Sequence, residues 1–176
     1  MSGIDQERSF KPVNIAVLTV SDSRTKKTDT SGDLLCLRIE EAGHNLEVRD
    51  LVADDKAIIA KTVSDWANRT DIDAVITTGG TGLTGRDVTV EALQPLFEKE
   101  IEGFSVIFHQ ISFQSVGLST LQSRAKAGLV KGTFVFALPG SNGAVKDGWD
   151  KVISHQLDAR YRPCNLVELM PRLLEK

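Results

Sequence analysis

Ala74-Val75-Ile76-Thr77-Thr78-Gly79-Gly80-Thr81-Gly82-Leu83-Thr84-Gly85-Arg86-Asp87 runs from a short β-branched segment straight into a glycine-rich loop. Val, Ile and Thr in succession favour a strand, and the glycines end it. Beyond Asp87 a helix is expected to begin near Val88, with Val90, Leu93 and Phe97 on one side. A buried strand that feeds a glycine loop and then a helix is the repeating unit of an α/β sheet.

The flanking sequence repeats that unit. Upstream, Asn14-Ile15-Ala16-Val17-Leu18-Thr19-Val20-Ser21 is a continuous apolar run with a polar end, the pattern of a strand buried on both faces. A polar loop over 22–29 follows, and Thr30 or Ser31 is placed to cap a helix that carries Leu35, Ile39 and Ala42 on one face and stops at Gly43. Residues 46–52 alternate as a second strand. Asp54 or Asp55 then caps a helix whose Ile59, Thr62, Val63, Trp66 and Ala67 share a face. Downstream, residues 102–127 have a mostly helical pattern broken at Gly103 and Gly117, with Ser119 or Thr120 capping the last piece. Thr133-Phe134-Val135-Phe136-Ala137-Leu138 is a further buried strand, ending at Pro139-Gly140-Ser141-Asn142-Gly143, and a helix through Trp149 and Val152 follows. Leu166, Leu169, Met170, Leu173 and Leu174 form a last helical stripe that Pro171 kinks or shortens. The expected fold is α/β: a three-layer αβα domain, its mostly parallel sheet covered by helices on both faces through right-handed crossovers. With no linker, repeat or low-complexity tract, residues 1–176 are expected to form one domain, with 1–12 as a disordered or extended arm.

Composition narrows the function. Lys plus Arg total 21 against 24 Asp plus Glu, so the basic excess of a general nucleic-acid binder is missing. No run approaches the ~18 apolar residues of a membrane span, and the polar N-terminus lacks the apolar segment of a signal peptide. Cys36 and Cys164 read as reduced thiols, so a cytoplasmic location is expected. His44, His109 and His155 are too scattered to suggest a metal centre.

Ligands of such sheets bind beyond the carboxyl ends of the strands. The segments leaving those ends are Ser21-Asp22-Ser23-Arg24, Ala53-Asp54-Asp55, residues 78–87 and residues 139–143. Successive glycines bring backbone N–H groups to an anion, and the following helix adds partial positive charge. Phosphate binding is therefore expected at the two glycine-rich loops. Residues 80–85 match the dinucleotide fingerprint formally, but no acid-ended strand follows at the required distance. A Walker A loop is excluded because no Gly-Lys-Ser/Thr occurs.

The ordered set of motifs resembles the MoaB/MogA family of molybdenum-cofactor proteins. The motifs are Thr19-Val20-Ser21-Asp22, Asp29-Thr30-Ser31-Gly32, Thr78-Gly79-Gly80-Thr81-Gly82 with Asp87, Glu102-Gly103-Phe104, Ser119-Thr120-Leu121-Gln122-Ser123-Arg124-Ala125 and Pro139-Gly140-Ser141. Gln156-Leu157-Asp158-Ala159-Arg160 with Arg162-Pro163-Cys164-Asn165 looks specifically MoaB-like, and the resemblance spans 14–165. It implies a molybdopterin-binding fold and transfer of AMP from Mg-ATP to the terminal phosphate of molybdopterin. The alternative is a non-catalytic molybdopterin carrier of the same pathway. It also implies a homotrimer or homohexamer.

On this resemblance Asp87 orients Mg²⁺ on the triphosphate and Asp54 is a second functional acid. For both, the plainer role is a helix cap stabilising by ~1 kcal/mol. Thr78, Gly79, Gly80, Thr81 and Gly82 are expected to hold phosphate through backbone N–H groups and the Thr81 hydroxyl, although a plain turn is the alternative. Ser21, Asp22, Ser23 and Arg24 line the pocket at a strand's carboxyl end, Ser123 and Arg124 contact the pterin or its phosphate, and Pro139, Gly140, Ser141 and Asn142 form the second loop, which admits the nucleotide, a simple turn being the alternative for each. Because such a transfer is carried by positioning and charge neutralisation, the lack of a Ser-His-Asp or Cys-His set is consistent with it.

Overall fold

The structure, a computed structural model, describes residues 2–175. In chain order its elements are β1 (Gly3–Ile4), β2 (Asn14–Val20), α1 (Thr30–Glu41), β3 (Asn45–Val52), α2 (Lys56–Ala67), β4 (Ala74–Thr78) and α3 (Thr89–Leu93). Then follow β5 (Lys99–Glu100), α4 (Glu102–Val116), a 3₁₀ segment (Gly117–Gln122), β6 (Lys126–Val130) and β7 (Thr133–Leu138). The chain continues into α5 (Asn142–Val145), which runs through a π-helical stretch (Lys146–Ile153) into α6 (Ser154–Gln156). β8 (Tyr161–Arg162) and a 3₁₀ segment (Val167–Arg172) complete it.

The main sheet has the order β3-β2-β4-β7-β6-β5. β3, β2, β4 and β7 are mutually parallel, whereas β6 and β5 are antiparallel additions at one edge. Every residue of β4 and β7, and all of β2 but Asn14, is buried. That is the signature of strands covered on both faces.

The period of two along these strands sorts their side chains between two cores. Ile15, Val17, Ile76, Phe134, Phe136 and Leu138 face α1, α4 and the π-helical stretch, where Phe108 and Trp149 are fully enclosed. Leu18, Val20, Val75, Val135 and Ala137 face α2 and α3, against Ile59, Val63 and Leu93. Each large side chain so enclosed contributes about 1.5–3 kcal/mol.

The expected three-layer architecture is present, and three local features differ from the sequence pattern. Residues 102–127 are helical only as far as Gln122; Lys126–Val130 is a strand. It turns back into β7 at Lys131-Gly132, both at positive φ (52° and 83°), a tight hairpin without the usual Asn-Gly signal. The C-terminal stripe is a 3₁₀ segment rather than an α-helix, with Pro171 inside it. The N-terminal segment, expected as a disordered or extended arm, is extended at Gly3–Ile4 and anchored. β1 pairs with β8, Asp5 N–H donates to Arg160 O at 2.9 Å, and the Arg160 guanidinium lies 5.0 Å from the Phe10 ring centre. Both thiols are free; Cys36 is buried and its pKa is pushed up to about 11 by that burial, and Cys164 is exposed.

Candidate functional site

Because β2, β3, β4 and β7 run parallel, their carboxyl ends share one edge of the sheet, and the four following loops meet there. They enclose a polar cleft of about 410 Å³. Ser21, Ser23 and Arg24 reach it from β2, Asp54 from β3, residues 79–82 and Asp87 from β4, and Pro139, Gly140 and Ser141 from β7, with Ser123 closing one side. A larger hollow of about 530 Å³ adjoins it, with a more apolar wall between α4 and the π-helical stretch, and shares Ser123, Pro139 and Ser141. The glycine loop and the carboxylates lie in the smaller one.

The glycine loop needs its glycines. Gly79 and Gly80 have φ of +107° and +62°. A Cβ on Gly79 would strike the carbonyl oxygen of Val20, and one on Gly80 would lie 2.7 Å from Asp54 Oδ1. The loop is pinned from below. Gly79 N–H donates to Leu138 O at 3.0 Å, Thr89 N–H to Gly80 O at 2.9 Å, and the Thr89 hydroxyl to Gly79 O at 2.8 Å. Not all the loop N–H groups are therefore free for a ligand. Those of Gly79 and Gly82 are taken by Leu138 and Asp87, while those of Gly80 and Thr81 have no partner among the described residues.

Asp54 and Asp55 divide the two roles that the sequence left open. Asp55 is the N-cap of α2, accepting from Ala57 N–H at 2.8 Å and Ile58 N–H at 2.9 Å. Asp54 is thereby released into the cleft, where it accepts from Asp22 N–H at 2.8 Å. Burial, with the charges of Asp22 and Asp87 close by, raises its pKa. Asp55→Ala should cost about 1 kcal/mol of stability and leave ligand binding in the cleft unchanged. Asp54→Ala should leave stability nearly unchanged and alter that binding, and unfolding curves beside a binding titration read both.

Asp87 is not a helix cap either, since Val88 holds that position in α3. Its carboxylate accepts from Thr84 N–H at 2.9 Å and the Thr84 hydroxyl at 2.6 Å, and from Gly82 N–H. Partial burial would raise its pKa, but these hydrogen bonds outweigh that and hold it below the ordinary carboxylate value. Asp87 thus shapes the loop and stays ionised at its rim. The two carboxylates form a donor set suited to Mg²⁺, which commonly takes one or two protein carboxylates and completes its shell with phosphate oxygens and water. Among the described residues no cluster of three or more His, Cys, Asp or Glu is arranged for a metal.

Three expected residues stand just outside the cleft. Arg124 lies behind the loop, with its Nε donating to Thr81 O at 3.1 Å, its Nη2 to Asp87 O at 3.1 Å, and its fork paired with Glu91. It braces the loop instead of facing a ligand, because Glu91 on α3 and two loop carbonyls claim its donors. Asp22 sits at the rim, where it pairs with Arg86 at 2.7 Å and accepts from Asp54 N–H at 3.0 Å. Thr78 is buried beneath, its hydroxyl donating to Pro139 O at 3.3 Å.

Thr89 escaped the sequence pattern, and Thr19 and Asp29 stood only in the motifs that carry the resemblance, with no role given to them. Asp29 is the true cap of α1, accepting from Gly32 N–H at 3.0 Å, where Thr30 or Ser31 was expected. An Asp three residues before a Gly at a helix start was the available signal.

A glycine loop with open N–H groups at the strand edge of an α/β sheet is an arrangement in which such sheets bind phosphorylated small molecules. Known proteins place the chain more closely. The family described as "Probable molybdopterin binding domain" matches residues 16–159. Molybdenum cofactor biosynthesis protein B of Escherichia coli (strain K12) is 47% identical over 165 residues, covering 94% of this chain and 96% of the relative. The protein of the same name from Bacillus subtilis (strain 168) is 44% identical, covering 82% of this chain and 86% of the relative. A crystal structure of molybdenum cofactor biosynthesis protein B superposes with a TM-score of 0.86 at 38% identity, over 96% of this chain and 100% of the other. The tungsten cofactor synthesizing protein MoaB from Pyrococcus furiosus gives 0.73 at 36% identity, over 82% and 92%. The chain belongs to this family of molybdenum cofactor biosynthesis proteins.

Proposed function

We propose that this protein acts in molybdenum cofactor biosynthesis, binding molybdopterin and Mg-ATP in the cleft and transferring AMP to the terminal phosphate of molybdopterin. The observation that carries the catalytic part is the release of both Asp54 and Asp87 from capping duty into the cleft beside the glycine loop. Molybdopterin binding is supported by the family and by its relatives' names.

In this reaction a phosphate oxygen of molybdopterin forms a bond to the α-phosphorus of ATP, and the α–β bridging P–O bond breaks to release pyrophosphate. The open N–H groups of Gly80 and Thr81 hold phosphoryl oxygens where negative charge accumulates. Asp54 and Asp87 would hold Mg²⁺, which when bound neutralises polyphosphate charge. The pinned loop fixes the donors before the substrates arrive, so orientation need not be established during the reaction. Formation of adenylylated pterin with an equal amount of pyrophosphate tests the proposal.

We also propose that the chain works as a homotrimer or homohexamer in the cytoplasm. α4 and the following 3₁₀ segment expose Val106, Ile107, Phe113, Val116, Leu118 and Leu121, with Leu118 at 72%. Exposed apolar side chains in this number along one segment support self-association. Light scattering should give three or six times the 19.2 kDa chain mass, and a monomer would contradict it.

A further inference from the structure

Among the described residues, Arg24 is the one basic side chain on the wall of the cleft. It is held on its inner side. Its Nη2 donates to Gly140 O at 2.6 Å and its Nη1 to the Ser31 hydroxyl, and Asp29 Oδ1 lies 3.6 Å from Nη1. Gly140 is itself against the glycine loop, since a Cβ there would lie 2.9 Å from the Gly79 Cα. Arg24 therefore ties the loop after β7 and the start of α1 to the floor of the phosphate cradle. A guanidinium carries five N–H donors, and the hydrogen bonds to Gly140 and Ser31 use two of them.

The anchor behind it is unusual for a carboxylate. The Asp29 side chain has no exposure to solvent. It is fully engaged, accepting from the Thr19 hydroxyl at 2.6 Å, Gly32 N–H at 3.0 Å and Arg49 Nη2 at 2.8 Å. Arg49 is shared with Asp33 at 2.6 Å, and Asp29 lies between the Arg49 and Arg24 guanidinium groups. Capping α1 alone would not require a carboxylate shielded from water and set between two guanidinium groups, because a neutral Ser or Asn caps as well.

We propose that Arg24 grips a phosphoryl group in the cleft and that Asp29 is the positioning residue that aims it. Both roles rest on the phosphate-binding function proposed above. The recognised chemistry is a phosphate oxyanion held by a planar fork, supplied either by the polyphosphate of the nucleotide or by the monophosphate of the pterin.

The test is titration calorimetry of wild type, Arg24→Gln, Arg24→Lys, Asp29→Asn and the Arg24→Gln/Asp29→Asn double variant, with unfolding curves to confirm folding. The probes are ATP, adenosine, molybdopterin and dephosphorylated molybdopterin. Arg24→Gln should weaken one phosphorylated probe by about 10–100-fold and leave its dephosphorylated counterpart unchanged. Loss confined to ATP places Arg24 on the polyphosphate, and loss confined to molybdopterin places it on the pterin phosphate. Arg24→Lys, which keeps the charge without the fork, should recover part of the affinity. Asp29→Asn should weaken the same probe in the wild-type background and add nothing once Arg24 is Gln.

An Arg24→Gln variant that binds both phosphorylated probes like wild type overturns the proposal. An Asp29→Asn penalty of equal size in both backgrounds reduces Asp29 to a structural cap. Wild-type protein that binds neither ATP nor molybdopterin overturns the phosphate-binding function itself, and the roles of Arg24 and Asp29 with it.

Discussion

Asp87→Asn is expected to lower the rate of AMP transfer by about 10²- to 10³-fold, the scale of losing one electrostatic group from a pre-organised site, while molybdopterin binding changes little. The amide oxygen of Asn can still accept from the Thr84 hydroxyl and N–H, so the loop keeps its shape. The negative charge at the rim is removed, and one of the two acceptor oxygens becomes an NH2 donor beside Gly82 N–H. Single-turnover kinetics with saturating molybdopterin separates this from weakened binding, and an unchanged melting temperature would confirm the intact loop. Asp87→Ala removes the charge and the acceptor together, and should lose stability as well as activity. If the Asn variant transfers AMP at the wild-type rate, Asp87 is a loop brace and no more.

Gly79→Ala should be the most damaging single methyl in the cleft. Its φ of +107° lies where L side chains are strained, and the new Cβ would meet the backbone oxygen of Val20, which cannot rotate away. Relief requires β2 and β4 to separate at their carboxyl ends, the edge that carries the site. We expect a loss of about 2–4 kcal/mol and a melting temperature lowered by roughly 5–15 °C, with ligand binding lost even in the folded fraction. Gly85→Ala is the control. It sits in the same loop with open space around its Cβ and no positive φ, so its effect should stay within about 0.5 kcal/mol. Calorimetric melts of the two variants side by side check both figures. Equal effects would mean that the loop does not depend on the backbone conformation at Gly79.

Much of this fold was legible because the central strands are covered on both faces. A run such as residues 14–20 has few other places to go in a folded protein. The edge of the sheet was not legible, because Lys126–Val130 is short, contains Gly128 packed beneath Phe97, and turns through a lysine at positive φ. The anchored N-terminal segment was also hidden, since a two-residue pairing of β1 with β8 leaves no periodic pattern.

For the candidate site, the glycine loop could be located from its place after a buried strand, whereas Asp54 and Asp87 were singled out by the family resemblance. Which of Asp54 and Asp55 caps α2, and where the Arg124 fork points, are three-dimensional facts. Asp55 caps because its carboxylate reaches two N–H groups of the first turn, which frees Asp54. Arg124 turns to Glu91, a partner distant in sequence. Arg24, the cation that lines the cleft, was legible as part of the segment that leaves the carboxyl end of β2, but its contacts to Gly140, Ser31 and Asp29 were not.

The most direct test of the central claim is an adenylylation assay with purified protein, molybdopterin and Mg-ATP, following adenylylated pterin and pyrophosphate with Asp87→Asn in parallel. The account predicts both products in equal amounts from the wild type and their near loss in the variant, with molybdopterin still bound. Tight molybdopterin binding with no product from either protein would contradict it and leave a carrier of the cofactor precursor.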